Sequence, residues 1–265
     1  MALPAPGPSS TALVTGASSG IGTAYARALA ARGHGVVLVA RREERLKALA
    51  DELAAETGVA AHAIGCDLAD ASARDGLVGG IAELGLTVEI LVNNAGFGVY
   101  GAFVDSERER ELQQVRLDVE AVVDLTKRYF PAMCQAGRGT VINMSSTAGL
   151  QPLPFNSTYA ASKSFVLLFS EALWSEGKDH GVTVTAVCPG PVKTEFQEAN
   201  DARFADKLPG MVWVAPEEVA EKALRAAEKG KRTIIPGLGA RAAFGPNRFM
   251  PAGVALPVAK RLMRN

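Results

Sequence analysis

The 265-residue chain predicts a single α/β domain built on a doubly wound parallel sheet. Three observations carry that expectation. Short β-branched runs alternate strictly with longer segments of helical period. Several of the runs are apolar almost without interruption, as strands covered on both faces must be. No repeat or internal linker divides the chain, and a hydrophobic content of 48% is enough for a large core.

Taken in order, the segment "MALPAPGPSS" (1–10) is rich in Pro, Gly and Ser and predicts a disordered leader. It lacks the basic and apolar regions of a signal peptide. Strands are expected at 11–17, 35–41, 60–68, 89–96, 139–146, 182–190 and 232–237. Helices are expected at 20–32, 43–57, 70–84, 107–134, 158–178 and 216–229. The domain therefore runs from 11 to 237, with a substrate lid expected near 195–213 and a basic C-terminal segment over 238–265.

Composition narrows the function. Lys plus Arg and Asp plus Glu both number 28, so no global charge points to nucleic acid. Cys66, Cys134 and Cys188 form no CxxC, which fits free thiols in a reducing setting. His34, His62 and His180 have no metal-ligand spacing, so no metal is expected. No apolar run reaches the length of a membrane span. A soluble, cytoplasmic protein is the expectation.

In a doubly wound sheet, ligands bind outside the carboxyl ends of the strands. The first such end reads "TGASSGIG", in which Gly16, Ser18, Ser19, Gly20, Ile21 and Gly22 lead from strand into helix. Glycines there let the backbone approach a pyrophosphate, and the helix N-terminus offers it free N–H groups. The second end reads "ARREERL". An acidic residue would accept from a ribose 2′-hydroxyl; Arg41 and Arg42, with Arg45 a weaker candidate, suit a 2′-phosphate instead. NADP is thus preferred over NAD. In "STYAASK", Tyr159 and Lys163 are four residues apart, which puts them on one face of a helix.

These motifs, with "NNAG" at 93–96, "MSS" at 144–146 and Pro189–Gly190, resemble in order and spacing the short-chain dehydrogenase/reductase family, a Rossmann-fold family. The resemblance covers residues 11 to about 194. It implies that Asp67 and Leu68 hold an adenine, and that Asn93, Ala95 and Gly96 line the adenosine side. It implies that Pro189, Gly190, Val192 and Thr194 support the nicotinamide. The family's catalytic serine lies thirteen residues before the tyrosine, which selects Ser146 over Ser145. Tyr159 is then the general acid/base, and Lys163 both holds the nicotinamide ribose and lowers the phenol's pKa. Ser146 orients the carbonyl and stabilises charge on its oxygen. A homodimer or homotetramer, the dimer formed through helices 107–134 and 158–178, is also implied.

The chain departs from the family twice. The family's helical asparagine, thirteen residues before a proline, is here Asp118, counted back from Pro131. It sits on the edge of one apolar stripe of Val115, Val119, Val122, Thr126, Tyr129 and Met133, where a carboxylate needs a partner. Asp118 either continues a relay to Lys163 or locks it as a structural ion pair. From 241 onward the tail holds five basic and no acidic residues. It reads first as a cover for the domain's own apolar surface or a subunit interface, and second as a contact for anionic membrane.

The segments 97–103 and 149–156 are apolar and aromatic, without Arg or Lys, and point to a hydrophobic ketone, aldehyde or alcohol. The expected function is an NADP(H)-dependent carbonyl/alcohol oxidoreductase. A 3-oxoacyl (ACP or CoA) reductase is the alternative within that class. An NADP-binding interaction protein with little turnover is the alternative outside it.

Overall fold

The computed structural model describes residues 3–196 and 208–263. Among these, seven strands form one parallel sheet in the order β3-β2-β1-β4-β5-β6-β7. They are β1 Ser10–Thr15, β2 Gly35–Ala40, β3 Ala61–Gly65, β4 Thr87–Asn93, β5 Gly139–Met144, β6 Val182–Val187 and β7 Thr233–Ile234. β7 is shorter than the sequence suggests because Pro236 cannot donate to a ladder. The helices are α1 Gly20–Ala30, α2 Glu43–Thr57, α3 Ala71–Glu83, α4 Arg108–Val115, α5 Ala121–Ala136, α6 Ser157–Lys178, α7 Pro216–Glu228, α8 Leu238–Phe244 and α9 Ala252–Met263.

The strands are apolar on both faces because both are covered. Along β1 and β2, Ala12, Val14, Val36 and Leu38 enter one core with Tyr25 and Leu29 of α1 and Leu224 of α7. The alternate residues Leu13, Val37 and Val39 enter a second core with Leu77 of α3 and Leu125 of α5. That period-two division produces three layers. The chain order reverses between β1 and β4, and a crevice opens there at the carboxyl ends of the strands.

Two expectations change. The helix predicted over 107–134 is interrupted by a π turn, Arg116–Glu120, between α4 and α5. Its extra residue shifts the helical phase, so Val115 is 40% exposed while Gln114 and Asp118 are wholly buried. The stripe beginning at Val115 is therefore wrong in its first turn. The leader is not loose over residues 3–10: Leu3 packs on the core, Pro4 is buried, and Ser9 accepts from Thr87 N–H at 2.7 Å. The tail forms α8 and α9, and Pro257 lies inside α9. Ala240 and Phe244 of α8 pack onto the core, and Arg248 pairs with Glu171 of α6 at 2.6 Å. Among the described residues, no helix is long and apolar enough to cross a membrane.

A buried polar chain ties together the elements that carry the site. Asn93 of β4 donates to Asn143 of β5 at 2.8 Å and to Thr126 of α5 at 3.1 Å. Asn143 in turn donates to Ser170 of α6 at 2.9 Å. Removing its middle member strands partners that water cannot reach. Asn143→Ala is expected to lower unfolding free energy by about 1–3 kcal/mol, read from the urea midpoint at unchanged slope.

Candidate active site

The crevice is assembled from strand ends. Gly16, Ser18, Ser19, Gly20 and Ile21 form its floor, and Arg41 and Arg42 stand at one end. Asp67 and Leu68 line it after β3, Ala95 and Gly96 after β4, and Thr194 opposite the floor. The glycines are fixed by close approach. A Cβ at Gly22 would fall 2.1 Å from the carbonyl oxygen of Gly16, so only glycine lets α1 start against β1. Gly20 has φ +55°, and a Cβ there would meet Thr194 at 2.8 Å, filling the space before the helix. The N-cap Ser19 makes no side-chain cap, and the first turn holds no acidic residue. The first-turn N–H groups of α1 are thus available to an anion, and these residues fit a dinucleotide pyrophosphate.

Not every expected residue reaches this wall. Asn93 is 3% exposed and spends its amide on the buried chain described above, so its side chain does not line the crevice. Its neighbour Asn94 does, donating to the Thr15 carbonyl at 2.9 Å. Gly22 serves helix packing. Pro189 accepts from Thr147 N–H at 3.0 Å, Gly190 backs onto Ala240, and Val192 is buried in the core and bridges Val214. These three build the turn that delivers Thr194. Of the expected lid at 195–213, residues 197–207 lie outside the described residues.

Beyond Gly96, four further side chains meet. Ser146 lies two residues past β5, caps the following turn by accepting from Ala148 N–H at 3.1 Å, and is close enough to the Tyr159 phenol to favour its ionised form. Ser145 points elsewhere, donating to the Lys163 carbonyl at 2.7 Å. The Tyr159 ring lies between Tyr100 and Phe196, with centroids 6.2 and 6.0 Å away. Lys163 Nζ donates to the Met144 carbonyl at 3.2 Å and lies 3.4 Å from Asp118 Oδ2. Asp118 Oδ1 accepts the Phe97 N–H at 3.1 Å.

A glycine-lined crevice leading to a half-buried Ser and a buried Tyr and Lys is thus in place, and a family model for the short chain dehydrogenases matches residues 10–204. The chain belongs to that family. A very-long-chain 3-oxoacyl-CoA reductase of Anas platyrhynchos is 34% identical over 209 residues, 77% of this chain and 66% of that protein. A short-chain dehydrogenase of Sphingobium yanoikuyae, solved in complex with NADPH, matches with a TM-score of 0.78. It is 33% identical, covering 95% of this chain and 93% of its own. The bulky-bulky ketone specific alcohol dehydrogenase of Comamonas testosteroni gives 0.77 at 32% identity, covering 94% and 93%. Against two curated relatives, the chain spans 62% and 66% of their length.

In this short-chain dehydrogenase Asp118 joins the charges around the phenol. Burial holds the Tyr159 phenol above its ordinary value, and the nearby Asp118 carboxylate pushes the same way. Ser146 acts in the opposite direction and favours the ionised phenol. Asp118 is itself raised, by burial first, with Lys163 and the Phe97 N–H holding it back.

Other residues were not legible as site residues. Gln114, one turn before Asp118, accepts from Val99 N–H at 2.7 Å, and Asn156 donates to the Val99 carbonyl at 2.9 Å. Phe155 has φ +66°, a conformation a bulky residue adopts only under constraint, and accepts from Gly101 N–H at 2.9 Å. These contacts join the two substrate-side segments. Gln114 carries a helical-spacing signal; Phe155 carries none.

The charge balance gives a directional test. Asp118→Asn removes the anion that raises Tyr159, so the phenolate is expected to appear at lower pH. The tyrosinate absorbance titration, differenced against Tyr159→Phe, measures it; an unmoved or raised midpoint overturns this assignment.

Proposed function

We propose that the chain is an NADP(H)-dependent oxidoreductase that interconverts a hydrophobic carbonyl compound and its alcohol. The observation carrying the reading is the buried Tyr159–Lys163 pair, with the half-buried Ser146 beside it, beyond the end of a glycine-floored crevice. The crevice residues Ser19, Gly20, Ile21 and Thr194 would hold the pyrophosphate, Arg41 and Arg42 a 2′-phosphate, and Lys163 the nicotinamide ribose. When bound, the nicotinamide supplies the hydride in reduction and accepts it in oxidation.

The protein's own groups handle the proton. Tyr159 Oη gives a proton to the substrate oxygen in reduction and takes it back in oxidation. Ser146 Oγ donates to the same oxygen and stabilises the charge that develops there. With its phenol held high, Tyr159 stays protonated at neutral pH, the form that reduction consumes. Lys163 and Asp118 fix the charge behind the phenol. Asp118 can accept protons but, ionised, cannot donate them, so it is a weaker relay member than an amide that does both.

The Tyr100 ring, 6.2 Å from that of Tyr159, and the apolar segments 97–103 and 149–156 favour an apolar substrate body. The bulky-ketone enzyme of similar fold supports that reading. A second reading, a 3-oxoacyl thioester reductase, is favoured by Arg110. Helix α4 brings this cation over the Phe97 ring, 4.3 Å from its centroid, on the crevice wall. It supplies the positive charge missing from both substrate-side segments and suits a phosphate-bearing carrier.

Consumption of NADPH with bulky ketones, aldehydes and 3-oxoacyl thioesters tests the proposal. Tyr159→Phe is expected to cost about 10²–10⁴-fold in turnover while NADPH binding is retained. A variant that turns over normally removes Tyr159 from the role of acid. An output that persists in that variant without turnover would favour a cofactor-binding interaction protein. Selective loss with thioesters in Arg110→Ala would identify the carrier-bound substrate.

A further inference from the structure

The second-strand arginines are not idle. Arg42 donates through Nε to Ser18 Oγ at 3.1 Å and through Nη2 to Ser19 Oγ at 2.8 Å. Its remaining nitrogen, Nη1, donates to the carboxylate of Glu195 at 2.7 Å. Arg45 meets both oxygens of the same carboxylate, at 2.8 and 3.0 Å. Glu195 comes from the far side of the crevice, directly after Thr194, and lies on the crevice wall with Arg41 and Arg42. Of the acceptors on Arg42, the serine hydroxyls are neutral and Glu195 alone carries charge.

We propose that Glu195 is a specificity-determining residue: its carboxylate competes with the ribose 2′-phosphate of NADP(H) for Arg42. The inference rests on the reading of Arg42 as the phosphate ligand. A carboxylate and a phosphate oxygen ask the same thing of a guanidinium, a charge-assisted hydrogen bond along an N–H. Nη1 has two N–H groups, but a phosphate and the carboxylate sharing that one nitrogen would lie side by side, and two anions so placed repel. Arg45 makes the exchange feasible. Glu195 can leave Arg42 without losing a cationic partner, since both of its oxygens already face Arg45. A cofactor without the phosphate demands no such exchange. The carboxylate therefore penalises NADP(H) and leaves NAD(H) untouched, narrowing the discrimination that Arg41 and Arg42 would otherwise give.

The pair is about half exposed, with side-chain exposures of 44% and 48%, so the effect is modest and screened by salt. Glu195→Gln keeps the size of the side chain and removes its charge. The expected result, from calorimetric titration at low salt, is a Kd for NADPH lowered about two- to five-fold, with the Kd for NADH unchanged. The gain should shrink as salt is added and vanish in an Arg42→Ala background, the signature of direct coupling. Equal weakening of both cofactors would mean that Glu195 clasps the crevice shut, and would overturn the proposal. So would no change in Glu195→Gln while Arg42→Ala selectively weakens NADPH. If Arg42→Ala leaves the NADPH-to-NADH ratio unaltered, the phosphate-ligand reading itself fails, and the Glu195 inference with it.

Discussion

A lysine and an aspartate shut away from water, with their charged atoms 3.4 Å apart, set the terms for the rest of the site. Either charge alone at that depth would cost several kcal/mol, roughly. Each therefore leans on the other, and the surrounding backbone supplies part of what each still needs, with Asp118 Oδ2 left without a hydrogen bond among the described residues. That part comes from the Phe97 N–H and the Met144 carbonyl, one from the turn after β4 and the other from the last residue of β5. Because α6 carries Lys163 and the π turn carries Asp118, the pair fastens two helices to two strand ends. Tyr159 is placed relative to that fixed point, and its phenol feels the whole cluster.

The same constraint leaves the Tyr159 end buried, whereas the Arg42 end is open to solvent. Tyr159, Lys163 and Asp118 are nearly or wholly inaccessible, whereas Arg42, Arg45 and Glu195 are about half exposed. The proton transfer proposed for Tyr159 would use the low dielectric of the first region. Recognition of a charged ligand needs partners that can be exchanged, which is easier where water can assist.

Much of this was legible in the sequence. Apolar runs, glycine spacing and the Tyr159–Lys163 interval are local patterns, each tied to a single backbone geometry. Asp118 could be found by counting because the helix positions it relative to Pro131. What could not be read depends on where separate segments meet. Asn93 and Asn94 are adjacent and chemically identical, yet one faces the core and the other the crevice; only the strand's terminal twist decides. The pull of Asp118 on Tyr159 and the hold of Glu195 on Arg42 join residues 41 and 153 positions apart. Phe155 adopts its conformation because the neighbouring loop requires its carbonyl, which no composition encodes.

The π turn at Arg116–Glu120 acts as a gear tooth between two rotational settings of one long helix. In an ordinary α-helix each residue advances the direction of its side chain by about 100°. Deleting one residue there would let α4 and α5 close into a regular helix with every remaining side chain intact. α4 would then turn by about that angle relative to α5. Gln114 would swing away from Val99, and Arg110 would leave the Phe97 ring. The substrate-facing wall is thus indexed to the reactive cluster by a count of residues, and a change in that count would re-aim it wholesale.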